Sequence, residues 1–139
     1  MTAPVKVKKP KAPPADTPAR RRKQAAHARG LAAEDRAAAL LEAQGFAILA
    51  RRVRTGAGEL DIVARSATLL VFCEVKLRAD LIQAAQSILP RQRRRIAAAA
   101  EAYLAVNPTL GGLDMRFDAI LLGLDGAAEH LPGAFDADA

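Results

Sequence analysis

Apolar residues along this chain follow two periods. From Gly30 to about Gln44 the spacing is helical. At about 100° per residue, Leu31, Ala37, Ala38, Leu41 and Gly45 share one face and Asp35, Arg36, Ala39 and Glu42 the other, with Gly45 as the stop. From Phe46 to Arg54, and again from Gly58 to Lys76, the apolar residues are largely β-branched and clustered, which predicts strands. The second stretch breaks at Ser66-Ala67-Thr68, so its halves fold as an antiparallel hairpin, and Thr55-Gly56-Ala57-Gly58 turns the chain into it. Asp80 to Leu89 and Arg91 to about Val106 are again helical, with Pro90 opening the second segment and Ile96, Ala99, Ala100 and Tyr103 forming its buried stripe. Met115 to Leu122 is a final strand, and a strand, a helical crossover and a strand imply a parallel pair. The order is αβββαβ, an α/β domain with a mixed sheet flanked by helices. Glu129 to Phe135 is read as an extension docking through Leu131 and Phe135.

Charges interrupt this pattern at few places. Glu34 falls within the apolar face of the first helix, where a carboxylate needs a cation, a donor or a metal. In the hairpin, alternation sends Glu59 and Asp61 to one side and Leu60 and Ile62 to the other, while Glu74 and Lys76 close the second strand. Folding about Ser66–Thr68 makes Asp61 and Glu74 cross-strand neighbours. Two carboxylates that close repel and raise each other's pKa unless a cation lies between them. Mg²⁺ suits such a pair, because it takes one or two carboxylates and leaves its other positions to water and phosphate.

Asp61, twelve intervening residues and Glu74-x-Lys76 resemble the signature of PD-(D/E)xK nucleases. The longer strings Gly58-Glu59-Leu60-Asp61-Ile62-Val63-Ala64 and Val71-Phe72-Cys73-Glu74-Val75-Lys76-Leu77-Arg78, with Arg116-Phe117-Asp118, resemble the YraN-type family of expected bacterial endonucleases from about Gly30 onward. The resemblance implies a restriction-endonuclease-like core and metal-dependent hydrolysis of DNA phosphodiester bonds. Kinship with Holliday-junction resolvases implies branched DNA as one substrate form and a homodimer as one assembly.

By that resemblance Asp61 and Glu74, with the backbone carbonyl of Val75, hold Mg²⁺ or Mn²⁺, and Lys76 orients or deprotonates the attacking water. Glu34 is either a further acid at the metal or half of a buried salt bridge to Lys76 or Arg78, and Glu59 is an accessory acid or an arginine anchor. Arg51, Arg52, Arg54, Arg78, Arg91, Arg94 and Arg95 are candidates for phosphate contacts, the alternative for each being a solvated or salt-bridged position. In the turn of Arg91 to Arg95 the family shows a lysine where this chain has Gln92, a departure that Arg91 and Arg93 are placed to offset. Asp118 reads as a structural ion pair with Arg116 or Arg78, the alternative being a support for the site. Two other readings stay open: a nucleic-acid-binding module without turnover, and a structural protein with a buried charge network.

Charge changes the picture at the N-terminal end. The net charge is +6, but residues 1–29 carry +8 and residues 30–139 carry −2. That basic segment holds five of the eight prolines and almost no large apolar residue, so residues 1–29 read as a disordered tail before a single domain over 30–139. Such an arm attracts DNA or RNA without sequence preference, or only solubilises the chain. No apolar run approaches the ~20 residues of a membrane span. One cysteine, Cys73, reads as a small core residue and fits a cytoplasmic setting; His27 and His130 read as exposed and without metal-ligand spacing.

Overall fold

A computed structural model describes residues 15–136. The elements are α1 (Pro18–Ala43), β1 (Ala47–Thr55), β2 (Gly58–Arg65), β3 (Leu69–Arg78), α2 (Leu81–Gln86), α3 (Pro90–Val106), β4 (Asp114–Gly123) and β5 (Ala128–Phe135). The strands form one sheet in the order β1-β2-β3-β4-β5, antiparallel throughout except for the parallel β3–β4 pair. This is an α/β fold with a mixed sheet flanked by helices, consistent with the restriction-endonuclease-like core expected. The predicted hairpin and parallel pair are both present.

Each face of the sheet has its own core. Ala33, Ala37, Ala38 and Leu41 of α1 pack on Ile62, Ala64, Val71, Cys73, Ile120 and Leu122. On the opposite face, Ile96, Ala99 and Ala100 of α3 meet Leu60, Val63, Leu70, Phe72, Phe117 and Phe135. There the Phe72 and Phe117 rings stack at 5.7 Å, Phe117 and Phe135 at 5.2 Å, and Tyr103 meets Phe72 edge-on. Full burial of one such side chain is worth about 1.5–3 kcal/mol, so these two layers hold the sheet between them. Leu31, expected on the buried face of α1, remains 36% exposed.

Three expectations are corrected. The first helix does not begin at Gly30 but at Pro18, where Thr17 accepts the Arg20 N–H and the proline occupies the first turn. A tail that cannot bury apolar surface was expected to stay disordered to Arg29, yet Ala, Arg, Lys and Gln extend a helix already nucleated at low cost. The same expectation for residues 1–14 lies outside the described residues. Secondly, the C-terminal extension is a fifth strand: Pro132 and Gly133 argue against a strand interior, but β5 is an edge strand, and its ladder slips near Phe117 and Ala119.

Thirdly, His130 is not exposed. Its side chain is 11% accessible, its Nε2 lies 2.7 Å from Asp118 Oδ2, and its Nδ1 lies 2.7 Å from Gln44 Nε2. Asp118 is completely buried and also accepts two hydrogen bonds from Arg116 and one from the Gly133 N–H. Burial pushes its carboxyl up, but the bonds from Arg116, Gly133 and His130 outweigh that and hold it below its ordinary range. The ion pair expected with Arg116 is thus one part of a network joining β4, β5 and the end of α1.

Candidate active site

β2 and β3 pair from Arg65 and Leu70 to Ile62 and Cys73. Beyond that point β2 continues against β1 to Gly58 and β3 against β4 to Arg78, so the two strands part like a fork. Asp61 and Glu74 are the first residues past the split. Asp61 Oδ2 accepts the Val75 N–H at 2.8 Å, a main-chain donor next to the opening. The neighbourhood of Asp61 and Glu74 expected from the sequence is present.

The expected alternation fails at this point. Leu60 packs into the α3-side core and Ile62 into the α1-side core, so they face opposite layers rather than sharing one. The cause lies across the ladder: Arg51 pairs with Ile62 and Val53 with Leu60, leaving Arg52 opposite Asp61. Arg52 has φ +52°, the left-handed region in which a side chain crowds its own backbone. That kink re-aims the residues on both strands.

Glu74 is 6% exposed and faces α3. Its Oε1 receives Lys76 Nζ at 3.0 Å and Gln92 Nε2 at 3.1 Å. Gln92, standing where the resemblance has a lysine, is therefore a site contact in its own right. Arg93, expected to compensate for it, has a buried Nε without a hydrogen-bond partner among the described residues. Asp61 is pushed up to about 7, first by burial and then by the charge of Glu74, against the opposing hydrogen bond from Val75. Near neutral pH Asp61 thus still holds a proton part of the time.

Glu34 is 9% exposed and receives Arg52 Nε at 2.6 Å, with an Arg51 nitrogen 3.7 Å away. Its partners are these arginines and not Lys76 or Arg78. Arg51 also meets Asp35 at 2.7 Å. Arg51 and Arg52, candidates for phosphate contacts, are engaged with carboxylates, although a third of each side chain stays accessible. Arg54 is exposed beside Glu59 on β1, and Arg91 and Arg94 are exposed on α3.

Two cavities flank the fork. One of about 480 Å³ lies under α1, lined among others by Ala26, Arg29, Glu34, Asp61, Val75 and Arg78. The other, about 390 Å³, lies under α3 and is lined by Glu59, Asp61, Glu74, Lys76, Gln92 and Arg95 among others. Asp61 and Val75 border both. Lys76 and Arg78 have equal strand parity, yet they line different cavities, the Arg78 guanidinium donating back to the Leu77 carbonyl at 2.7 Å.

Among the described residues, no three of His, Cys, Asp and Glu converge to form a ready metal cage. The pair itself fits a hard cation. Asp61 and Glu74 each commit one oxygen to a protein donor, and the repulsion that raises Asp61 is what a divalent ion between them would relieve.

Comparison with known proteins matches residues 33–122 to the family model described as "Uncharacterised protein family UPF0102". A UPF0102 protein of Azorhizobium caulinodans is 74% identical over 126 residues, covering 91% of this chain and 96% of that one. A UPF0102 protein of Rhodopseudomonas palustris is 48% identical over 132 residues, covering 95% and 97%. Among solved structures, SfsA of Pyrococcus furiosus in complex with Ca²⁺ is similar at a TM-score of 0.24 and 14% identity over 67% of this chain and 56% of that one, a likeness too slight to carry an argument. The family match takes in Glu34, the fork with Asp61 and Glu74, and Asp118, and the chain belongs to the UPF0102 family.

Proposed function

We propose that this protein is a metal-dependent endonuclease that hydrolyses phosphodiester bonds of DNA, with branched or otherwise structured DNA as the favoured form. The observation that supports it most is the convergence at the fork of Asp61 and Glu74 with the Lys76 ammonium 3.0 Å from Glu74, in the PD-(D/E)xK spacing. Asp61, Glu74 and the Val75 carbonyl would hold Mg²⁺ or Mn²⁺, with Glu34 across the α1-side cavity as a further acid. The ion supplies Lewis-acid polarisation of the phosphate and activation of water.

The chain's own groups do the rest. Gln92 and Lys76 fix Glu74 Oε1, which leaves the other carboxylate oxygen for a ligand. The Val75 N–H orients Asp61, whose raised affinity for a proton a bound cation would have to overcome. Lys76 places a positive charge where negative charge develops on the phosphate oxygens. Glu59 on the α3-side wall extends the acidic lining, and Arg95 beside it and Arg78 on the other side are the nearest cations for flanking phosphates.

A second reading has a specific observation behind it. Lys76 is tied to Glu74, and Glu34 to Arg52, which suits a nucleic-acid-binding module that retains its acids as a charge network. Incubation with labelled duplex, flap and four-way-junction DNA in Mg²⁺, Mn²⁺ or EDTA separates the two. The nuclease reading expects metal-dependent cutting that disappears in Asp61→Asn and Lys76→Ala; binding without cutting in any metal would replace it with the second.

A further inference from the structure

The face that α1 lays on the sheet changes character along the helix. At about 100° per residue, Arg22, Ala26, Arg29, Ala33 and Ala37 fall in one stripe. Ala33 and Ala37 are buried in the core, Ala26 and Arg29 line the α1-side cavity, and Arg22 is exposed. The helix therefore leaves the sheet at the cavity and continues outward for about three turns that bury little. Those turns carry Arg20, Arg21, Arg22, Lys23 and Arg29, and no acidic residue lies between Thr17 and Glu34. Among the described residues only Arg21 of this set is in an ion pair, with Asp16 at 3.1 Å.

We propose that this outer part of α1, Pro18 to Arg29, is a docking surface for the sugar-phosphate backbone of duplex DNA and leads it to the cavity that holds Asp61. The choice of DNA as the polyanion rests on the endonuclease reading. The segment is about 18 Å long at ~1.5 Å per residue, matching roughly five base pairs of duplex at ~3.4 Å each. Its cations sit at the two ends of that length, Arg20 to Lys23 in one turn and Arg29 about 9 Å further along the axis, so a backbone held at the outer turn meets a second cation at the inner end. At its inner end Arg29 and Arg78 share the lining of the cavity with Asp61 and Glu34, so a backbone held by the helix arrives beside the acids. A membrane surface fits less well, because the outer turns offer only alanines as apolar groups where an interfacial helix needs large ones.

The test is binding of a labelled duplex to the full chain in EDTA over a series of salt concentrations, comparing wild type with the combined variant Arg20→Gln, Arg21→Gln, Arg22→Gln, Lys23→Gln. Each lost phosphate contact lowers the slope of log affinity against log salt by ~0.9; four consecutive residues point round the whole helix and about two can face one backbone, so the variant is expected to lose about 2 in slope and roughly 10-fold in affinity at low salt. Its circular dichroism and Tm should match wild type, since these side chains pack on nothing in the core. Equal slope and affinity in the two proteins would overturn the proposal, as would a wild-type protein that binds anionic vesicles but no duplex. Metal is absent, so the result is independent of cleavage: charge-dependent binding by a protein that never cuts DNA in any metal upholds the surface and removes only the endonuclease reading.

Discussion

Arg52 stands opposite Asp61 across the β1–β2 ladder, and it is the one non-glycine residue among those described with a positive φ. Its side chain reaches Glu34 on α1 while its backbone turns the neighbouring positions of both strands. The residue that strains the sheet is the same one that anchors the helix above it. A left-handed arginine is held only where its surroundings over-determine it.

Glycine should therefore outperform alanine at position 52. Both substitutions remove the ion pair with Glu34, but only glycine adopts this backbone freely, so Arg52→Gly is expected to be about 1 kcal/mol more stable than Arg52→Ala. In an ordinary strand the order is the reverse. Urea denaturation of the two variants measures it.

Asp61 predicts an unusual dependence of stability on pH. Its folded pKa of about 7 lies above the ordinary carboxyl value, so the folded state holds the proton more tightly than the unfolded one. That contribution is complete below the unfolded pKa, declines as pH rises, and is gone above about 7. Asp61→Asn should be more stable than wild type by about 1–3 kcal/mol at alkaline pH and nearly equal to it in acid, as read by denaturation at both ends.

The proton and a divalent ion compete for Asp61. Mg²⁺, Mn²⁺ or Ca²⁺ should raise the Tm of the wild-type protein above pH 7, by less as the pH falls through that value, and not at all in Asp61→Asn. A thermal-shift titration at several pH values is sufficient. An equal shift in both proteins would place the ion elsewhere.

Lys76 has a structural effect that its proposed role alone does not foretell. Its ammonium lies 3.0 Å from Glu74, and both side chains are largely enclosed, so Lys76→Ala strands a buried carboxylate and is expected to cost about 3 kcal/mol. Adding Glu74→Gln should restore much of that stability and no cleavage. Chemical denaturation of the single and double variants, beside the cleavage assay, separates the two effects.

Asp118 should behave oppositely. Asp118→Asn weakens the bonds to Arg116 and His130 inside the sheet, with an expected loss of about 3–5 kcal/mol, while the response of the folded protein to divalent ions stays as in wild type. Its lowered pKa gives stability that is present above the ordinary carboxyl pKa and lost as acid protonates the folded form. Denaturation at neutral pH and in acid checks both parts.

These contrasts show what residue patterns convey. Spacing and β-branched runs placed Asp61 beside Glu74, and the helical crossover implied the parallel β3–β4 pair, because both follow from local geometry. The flip between Leu60 and Ile62 was hidden, since nothing in Arg51-Arg52-Val53-Arg54 signals a left-handed residue. The resemblance marks the position of Gln92, but not its partner, because Glu74 is 18 residues distant and the contact depends on how α3 lies over the sheet. The outer turns of α1 were missed for another reason: lack of burial was taken to forbid a helix, whereas it only leaves one without a packed partner.

The two cavities have Asp61 and Val75 as common walls. Neither chamber can have an electrostatic state of its own. A phosphate or cation settling under α1 would change how readily Asp61 holds its proton, and Asp61 also lines the cavity that Glu74 and Lys76 border under α3. The fork can therefore register an occupant on one side as a shift of charge on the other, with no movement of the backbone between them.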